Sequence, residues 1–231
     1  IKKGNYTFKV NSSVQKIRPY VASIVAKNGI LDGETIRQLI SLQEDLHFGI
    51  GRRRKKTSIG IHDLERIVFP IKYTTVTKNH KFVPLDSSND SSITEILEKT
   101  EVGQQYGSIL NNSSKVPIIL DAAGNTISFP PIINSALTKV STKTKNLLIE
   151  VTATEKNAAE DTLAVLATTL QAAGFQLFSV TISGANNSTP LLKSRKIILS
   201  SELVNNILGL NLSSSMIANS LRKCRIDAIA K

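Results

Sequence analysis

The sequence predicts an α+β fold with mixed or antiparallel sheets and packed helices. Segments of about 4–8 residues that alternate in polarity, or are continuously apolar, recur between turn residues, as expected of strands. Two longer runs have the spacing of amphipathic helices. The composition of the 231 residues, 41% apolar and 20% charged, is that of a globular chain. At this length one large domain, or one plus a small satellite, can form without disulfides.

The first half of the chain is predicted to contain four strands and one long helix. The strands lie over residues 6–10, 20–25, 58–61 and 71–76. Apolar residues at helical spacing begin after Asp32 and end near residues 47–51. Asp63 is placed to cap a helical turn over residues 64–68, which Pro70 stops.

The second half is predicted to alternate strands and helices. A polar loop at 86–92, a helix at 94–100, a hairpin of 116–121 with 126–129, a strand at 147–151, a helix at 158–173 and a strand at 175–183 follow in order. After a turn-rich linker at 184–190, a strand at 196–199 and two capped helices ending at Leu208 and Lys223 indicate a second unit. The predicted domains are therefore residues 1–184 and a small, truncated unit at 185–231.

Basic residues are concentrated in two flanks of the chain, whose formal net charge is +11. Residues 1–81 carry 16 Lys and Arg against 6 Asp and Glu, whereas residues 82–192 carry 6 against 10. The run Arg52, Arg53, Arg54, Lys55 and Lys56 lies between a helix and a strand, where such side chains can bind phosphates. This pattern favours either a polyanionic partner or a merely solvated, solubilising surface.

Several classes of protein are excluded by what the sequence lacks. No apolar run approaches the roughly 18 residues of a membrane helix, and the start has no signal-peptide core, so we expect a cytoplasmic protein. Cys224 is the one cysteine, and the three histidines have no metal-ligand spacing, so no metal site is expected. His62 next to Asp63 is interpreted as a satisfied structural histidine, because Asp63 serves better as a helix cap and no G-x-S-x-G nucleophile motif is present.

A rigid polar segment surrounds the proline pair Pro130-Pro131. Ser128 and Asn134 supply polar groups on either side of prolines that fix two backbone dihedrals. The pattern is compatible with a rigid turn or with one wall of a binding site.

Glu150 is an acid inside an apolar strand. Alternation places it on the same face as Thr152. A buried carboxylate must be paired or face a polar cavity, since burying it unpaired costs several kcal/mol. The two interpretations are a small-ligand pocket and a salt bridge to Lys143 or Lys145.

Motifs in the same order resemble the β subunit of phenylalanyl-tRNA synthetase, in its archaeal and eukaryotic form. They are Lys16-Ile-Arg-Pro-Tyr20, Leu42-Gln-Glu-Asp-Leu-His47, Arg54-Lys-Lys56 with Ile59-Gly-Ile-His-Asp-Leu64, Phe82-Val-Pro-Leu85, Ser128-Phe-Pro-Pro-Ile-Ile-Asn134 and the segment Thr144 to Thr154. The resemblance covers nearly the whole chain. One departure is Ala153, where the family commonly has Gly.

The resemblance implies that residues 1–184 form an editing module that hydrolyses tyrosine wrongly attached to tRNA(Phe), using ordered water. It implies catalytic roles for Ser128, Glu150 and Thr152, with Glu150 accepting a hydrogen bond from the phenolic hydroxyl. The implied substrate-binding residues are Ile119, Leu120, Pro130, Asn134 and Ala153, and residues 52–56 would bind tRNA. No cofactor is expected for editing, while ATP and Mg belong to the full synthetase with its α subunit.

Two further expectations complete this interpretation. Residues 185–231 resemble the start of a winged-helix-like unit. The alternative function is a non-catalytic module for tRNA binding or subunit assembly, in which Glu150 is only structural.

Overall fold

A computed structural model describes residues 1–110, 113–184, 187–190, 192 and 196–230. Its strands are β1 Lys2–Val10, β2 Tyr20–Lys27, β3 Thr57–Asp63, β4 Ile71–Thr77, β5 Lys81–Phe82, β6 Ser91–Ser92, β7 Lys115–Leu120, β8 Thr126–Phe129, β9 Ile133–Asn134, β10 Leu147–Ala153, β11 Gln176–Ser183 and β12 Asn187–Thr189. Its α-helices are α1 Gly33–Phe48, α2 Ile93–Lys99, α3 Glu101–Tyr106, α4 Lys156–Ala172, α5 Ser201–Leu208 and α6 Ser214–Lys223. The predicted α+β class is confirmed.

One large mixed sheet organises the first unit. Its strand order is β3-β10-β2-β11-β1-β4-β7-β8-β9, with β12 added to β11. Strands β1 and β11 are parallel, and β10 is antiparallel to both β2 and β3. Strand β10 therefore has a partner on each side, which explains why all seven of its residues are buried.

The two faces of β10 have different surroundings. The side chains of Leu147, Ile149, Val151 and Ala153 lie in an apolar core with residues of α1 and α4. Leu148 lies in a second core on the other face, which is the face of Glu150 and Thr152. Both predicted long helices are thus used to cover one face of the sheet.

The predicted hairpin of residues 116–121 with 126–129 is confirmed, and the ladder continues beyond it. Strand β9 pairs with β8, so the proline pair does not end the ladder. The cis peptide between Pro130 and Pro131 lies within a turn closed by a hydrogen bond from the Ile132 amide to the Phe129 carbonyl, at 2.8 Å. Strand pairing between β8 and β9 resumes after this turn, because it involves the backbone groups of Ile133 and Asn134 and not those of the prolines.

The second compact unit, Lys193–Lys231, contains α5 and α6. Ser200 and Ser213 cap these helices, as predicted, and Gly209 ends α5 with a φ of 65°. The strand predicted over residues 196–199 is wrong. Residues 196–200 are irregular, since no other described segment pairs with them.

Part of the predicted linker belongs to the first unit, Ile1–Leu192, because β12 pairs with β11 and Thr189 Oγ1 donates to the Ser23 carbonyl at 2.7 Å. In the described part of the chain, no helix has the length and hydropathy needed to cross a membrane.

Candidate active site

A cavity of about 540 Å³ lies between α1 and the segment 128–140. Helix α1 lines it with Ile36 and Ile40, and the turn after β8 lines it with the proline pair. The cavity is also lined by the polar side chains of Ser58 and Ser128 and by others described below. This size and this mixture of apolar walls with few polar groups are typical of small-ligand sites.

Ser128 and Asn134 form a polar pair in the cavity wall. Strands β8 and β9 place them directly opposite each other. Ser128 Oγ donates to Asn134 Oδ1 at 3.1 Å. Pro130 lines the same cavity, so three of the residues implied by the resemblance lie together.

Glu150 lies on β10, is 1% exposed and is not among the residues that line the cavity, whereas Ser58 on the neighbouring strand β3 does line it. The strand neighbour of Glu150 on β3 is Gly60. A Cβ atom on Gly60 would lie 2.5 Å from Glu150 Oε1, so only glycine leaves room for the carboxylate. The Oε2 atom of Glu150 is buried and accepts no hydrogen bond from the described residues.

The predicted salt bridge from Glu150 to Lys143 or Lys145 is not formed. Both lysines are exposed, at the start of the segment that leads into β10. The basic group within 4 Å of the carboxylate is His62, whose Nε2 is 3.9 Å from Oε1. Strand pairing, rather than closeness in sequence, supplies this neighbour.

His62 is fully buried, and only one of its two ring nitrogens has a hydrogen-bond partner among the described residues. Its Nδ1 lies 2.8 Å from Thr138 Oγ1, whereas its Nε2 has no hydrogen-bond partner among the described residues. The interpretation of His62 as a satisfied structural histidine is therefore wrong for Nε2. Thr138 lines the cavity and so connects it with the buried pair of His62 and Glu150.

Thr152 supports the cavity wall from behind. Its Oγ1 accepts a hydrogen bond from Arg18 Nε at 2.9 Å and lies 2.9 Å from Ser58 Oγ. Ser58 lines the cavity, whereas Thr152 is fully buried. Thr152 therefore positions Ser58 and the guanidinium group of Arg18.

Arg18 is a buried cation with several partners. Its burial lowers its pKa to about 10, against the opposing effects of Tyr73 and Glu150, so it is still charged at neutral pH. Its two terminal nitrogens donate to the carbonyl oxygens of Arg54 and Lys55 at 3.2 Å each. One of them also donates to the Thr152 carbonyl.

The five cations Arg52–Lys56, named the basic turn below, point in different directions. Arg52, Arg53 and Arg54 have left-handed φ angles of 47°, 53° and 64°, which are unusual for side chains other than glycine. Arg52, Arg53 and Lys55 are exposed. Lys56 forms a 2.6 Å ion pair with Glu155, so it is already engaged.

Arg54 alone in the basic turn lines the cavity. It donates to the Ile132 carbonyl at 2.9 Å and to Glu44 Oε1 at 3.1 Å. Its guanidinium group also lies over the Tyr106 ring, 4.5 Å from the centroid. Its side chain therefore joins α1, α3 and the proline turn.

Three of the implied substrate-binding residues do not line the cavity. Ile119 is fully buried in the core that also contains Leu148, and Leu120 packs against a third apolar cluster. Ala153 lies on the opposite face of β10, against α4. Ser58 and Thr138 do line it, and they were missed because pairing between distant strands is not visible locally.

The described residues contain no group of three or more His, Cys, Asp or Glu side chains arranged to hold a metal ion. Hydrogen-bonding groups and the charges of Glu44, Arg54, Asp86 and Lys139 are therefore what the described cavity wall offers a ligand.

Comparisons with known proteins agree on one family. The family model described as B3/4 domain matches residues 4–174 of this chain. The phenylalanine–tRNA ligase beta subunit of Methanocaldococcus jannaschii is 44% identical over 215 residues, which cover 91% of this chain and 39% of that protein. The phenylalanine–tRNA ligase beta subunit of Methanosphaera stadtmanae is 38% identical over 232 residues, which cover 99% of this chain and 42% of that protein. The chain thus spans about two fifths of the length of these curated relatives.

A solved structure has the same fold. An N-terminal fragment of the phenylalanyl-tRNA synthetase beta-subunit from Pyrococcus horikoshii matches with a TM-score of 0.90 and 34% identity. The match covers 97% of this chain and 65% of that fragment.

Proposed function

Because this chain belongs to the B3/4 domain family, we propose that residues 1–184 form an editing module that hydrolyses tyrosine misattached to tRNA(Phe), within a phenylalanyl-tRNA synthetase. The observation that supports this most directly is the carboxylate of Glu150. Glu150 is buried next to the strand β3, whose Ser58 lines a cavity of suitable size, and one of its oxygens lacks a donor among the described residues. A phenolic hydroxyl is such a donor.

The physical need for such an acceptor follows from the chemistry of tyrosine and phenylalanine. An apolar pocket shaped for phenylalanine cannot strongly exclude a ring that merely gains a hydroxyl group. A second site that must hydrogen-bond the hydroxyl can reject phenylalanine by roughly 10⁴-fold or more, because the site's buried polar group is otherwise unpaired. Glu150 is proposed to be that group, with the ring reaching it past Ser58 and Thr138.

The hydrolytic step is proposed to use ordered water on an ester that is already activated. Ser128 Oγ donates to Asn134 Oδ1, and the side-chain N–H groups of Asn134 are proposed to face the developing oxyanion. Thr152 acts by positioning, since its hydroxyl holds Ser58 and Arg18. Ordering the ester and water in this way needs neither a covalent nucleophile nor a cofactor.

The basic turn is proposed to contact tRNA phosphates. Arg52, Arg53 and Lys55 are exposed next to Arg54, which lines the cavity, so phosphates near the ester could reach them. In a full-length synthetase, the α subunit, ATP and Mg²⁺ would serve aminoacylation rather than editing.

Deacylation by this chain tests the proposal against a non-catalytic tRNA-binding or subunit-assembly role. Tyr-tRNA(Phe) and Phe-tRNA(Phe), each labelled on the amino acid, are incubated with the chain at the same concentration. The editing proposal expects rapid release of tyrosine and little release of phenylalanine above the spontaneous rate. Binding of tRNA with no release of tyrosine above that rate would favour the alternative and overturn the proposal.

A further inference from the structure

Glu44 is a carboxylate that faces the cavity and is fixed in place. It lies on α1, and its side chain is half exposed. Its Oε1 atom is 3.1 Å from both His47 Nδ1 and Arg54 Nη2. Its Oε2 atom accepts no hydrogen bond from the described residues, so one oxygen is held while the other is open to a ligand.

The local arrangement keeps Glu44 negatively charged. His47 Nε2 accepts the Ile59 amide hydrogen at 2.8 Å, so Nδ1 carries the proton that is donated to Glu44. The hydrogen bond from His47, helped by Arg54, holds the pKa of Glu44 below its usual value. Burial lowers the pKa of His47, so this histidine is neutral at pH 7 and does not cancel the charge of Glu44.

Each of the two carboxylates in the described cavity wall, Glu44 and Asp86, has one cationic partner. Asp86 Oδ1 lies 2.7 Å from Lys139 Nζ. Glu44 Oε1 lies 3.1 Å from an Arg54 side-chain nitrogen, but the side chain of Glu44 is 50% exposed against 73% for Asp86, so solvent screens the charge of Glu44 less. A cationic ligand group is therefore expected to bind at Glu44 rather than at Asp86.

We propose that Glu44 binds the α-ammonium group of an aminoacyl ester, so that the cavity accepts esters with a free amino group and disfavours N-acylated ones. This inference rests on the proposed editing function. A tyrosyl ester has one cationic centre, its α-ammonium group, and a carboxylate beside that group favours its charged form. Acylation removes that charge and adds bulk. The site would thus separate aminoacyl-tRNA from peptidyl-tRNA.

Glu44→Gln tests the charge with little change to the packing. The glutamine oxygen can still accept from His47 and Arg54, while an NH₂ group replaces the open oxygen and repels an ammonium group. The matched control is Asp86→Asn, which removes the same charge from the other carboxylate in the described wall.

Hydrolysis is measured at pH 7 with Tyr-tRNA(Phe) and N-acetyl-Tyr-tRNA(Phe) for the wild type and both variants. Glu44→Gln is expected to lower kcat/KM for the free-amino substrate about tenfold or more, the effect of losing a charge-assisted hydrogen bond, and to change the N-acetyl substrate less than about twofold. Asp86→Asn should leave the ratio of the two substrates unchanged. An equal effect of Glu44→Gln on both substrates would overturn the inference while leaving the editing function intact.

A binding measurement separates this inference from the editing function. Tyrosinamide carries the ammonium group and cannot be released as an ester, and N-acetyltyrosinamide lacks the charge. Calorimetry is expected to show tighter binding of tyrosinamide to the wild type and no preference in Glu44→Gln. If the wild type prefers tyrosinamide to N-acetyltyrosinamide but hydrolyses no Tyr-tRNA(Phe), the editing function is refuted and the ammonium site is supported. If Glu44→Gln still prefers tyrosinamide, the ammonium site is refuted.

Discussion

Replacing Glu150 with alanine is expected to reduce the preference for tyrosine over phenylalanine esters. The carboxylate is 1% exposed and one of its oxygens lacks a donor among the described residues, so a phenolic hydroxyl would make a hydrogen bond to a buried charged group. Such bonds are worth about 1.5–3 kcal/mol. Since about 1.4 kcal/mol is tenfold, kcat/KM for Tyr-tRNA(Phe) should fall about 10- to 150-fold in Glu150→Ala.

The rate with Phe-tRNA(Phe) provides the internal comparison. Phenylalanine offers no donor, and its entry leaves Glu150 desolvated and unpaired. Removing the carboxylate should therefore leave this slow rate unchanged or raise it. Single-turnover deacylation of the two substrates, with enzyme in excess, gives the ratio directly.

Glu150→Gln is the matched control for folding. Glutamine fills the same space beside Gly60 and still offers an oxygen as acceptor, but it lacks the charge. A neutral hydrogen bond is worth about 0.5–1.5 kcal/mol, so the loss should be clearly smaller than in the alanine variant. If both variants unfold at the wild-type temperature and hydrolyse Tyr-tRNA(Phe) at the wild-type rate, Glu150 does not recognise the hydroxyl.

Three other perturbations test parts of the same structure. Gly60→Ala should lower the free energy of unfolding, measured in urea, by about 1–3 kcal/mol, because the added methyl group meets the carboxylate of Glu150 and the ring of His62. Gly33→Ala is the control, since its new Cβ would lie 3.9 Å from the nearest side-chain atom. Equal urea midpoints for the two variants would contradict the close packing at Gly60. Alanine at the three exposed cations of the basic turn should weaken tRNA binding and lower the salt slope by roughly 0.7–0.9 per lost phosphate contact, so an unchanged slope would refute phosphate binding. Burial lowers the pKa of His47 in the folded state, so below the usual histidine pKa of about 6.5 the unfolded chain binds more protons than the folded one. The melting temperature should therefore fall as pH drops from 7 to 5. His47→Gln should flatten this dependence, and an equally steep curve would show that other groups cause it.

Local patterns predicted most of the first unit because its elements obey simple periodicities. The capped helix after Asp32 and the apolar strand around Glu150 follow from spacing alone, and the structure has both. The strand expected at residues 196–199 had a comparable apolar pattern and is absent. An extended segment needs a partner for its backbone groups, and the pattern carries no information about whether one exists.

The composition of the site was harder to predict because it depends on register between distant strands. Glu150 was singled out for its burial, yet its neighbours Gly60 and His62 are fixed by the pairing of β10 with β3. Strand pairing by itself does not decide which residues reach the cavity wall. Ile119 is paired with Ser128, but its side chain is buried in the core, while Ser128 lines the cavity.

The direction of each cation in the basic turn is likewise set from outside the turn. Three successive left-handed residues cost about 1–2 kcal/mol each, so the surrounding structure must hold them. Arg18 does so by donating to the carbonyls of Arg54 and Lys55 while it also binds Thr152. A lysine could not make these contacts together, because it lacks the planar set of five donors. One buried guanidinium therefore contacts both the turn that exposes the phosphate-binding candidates and, through Thr152 and Ser58, a wall of the cavity.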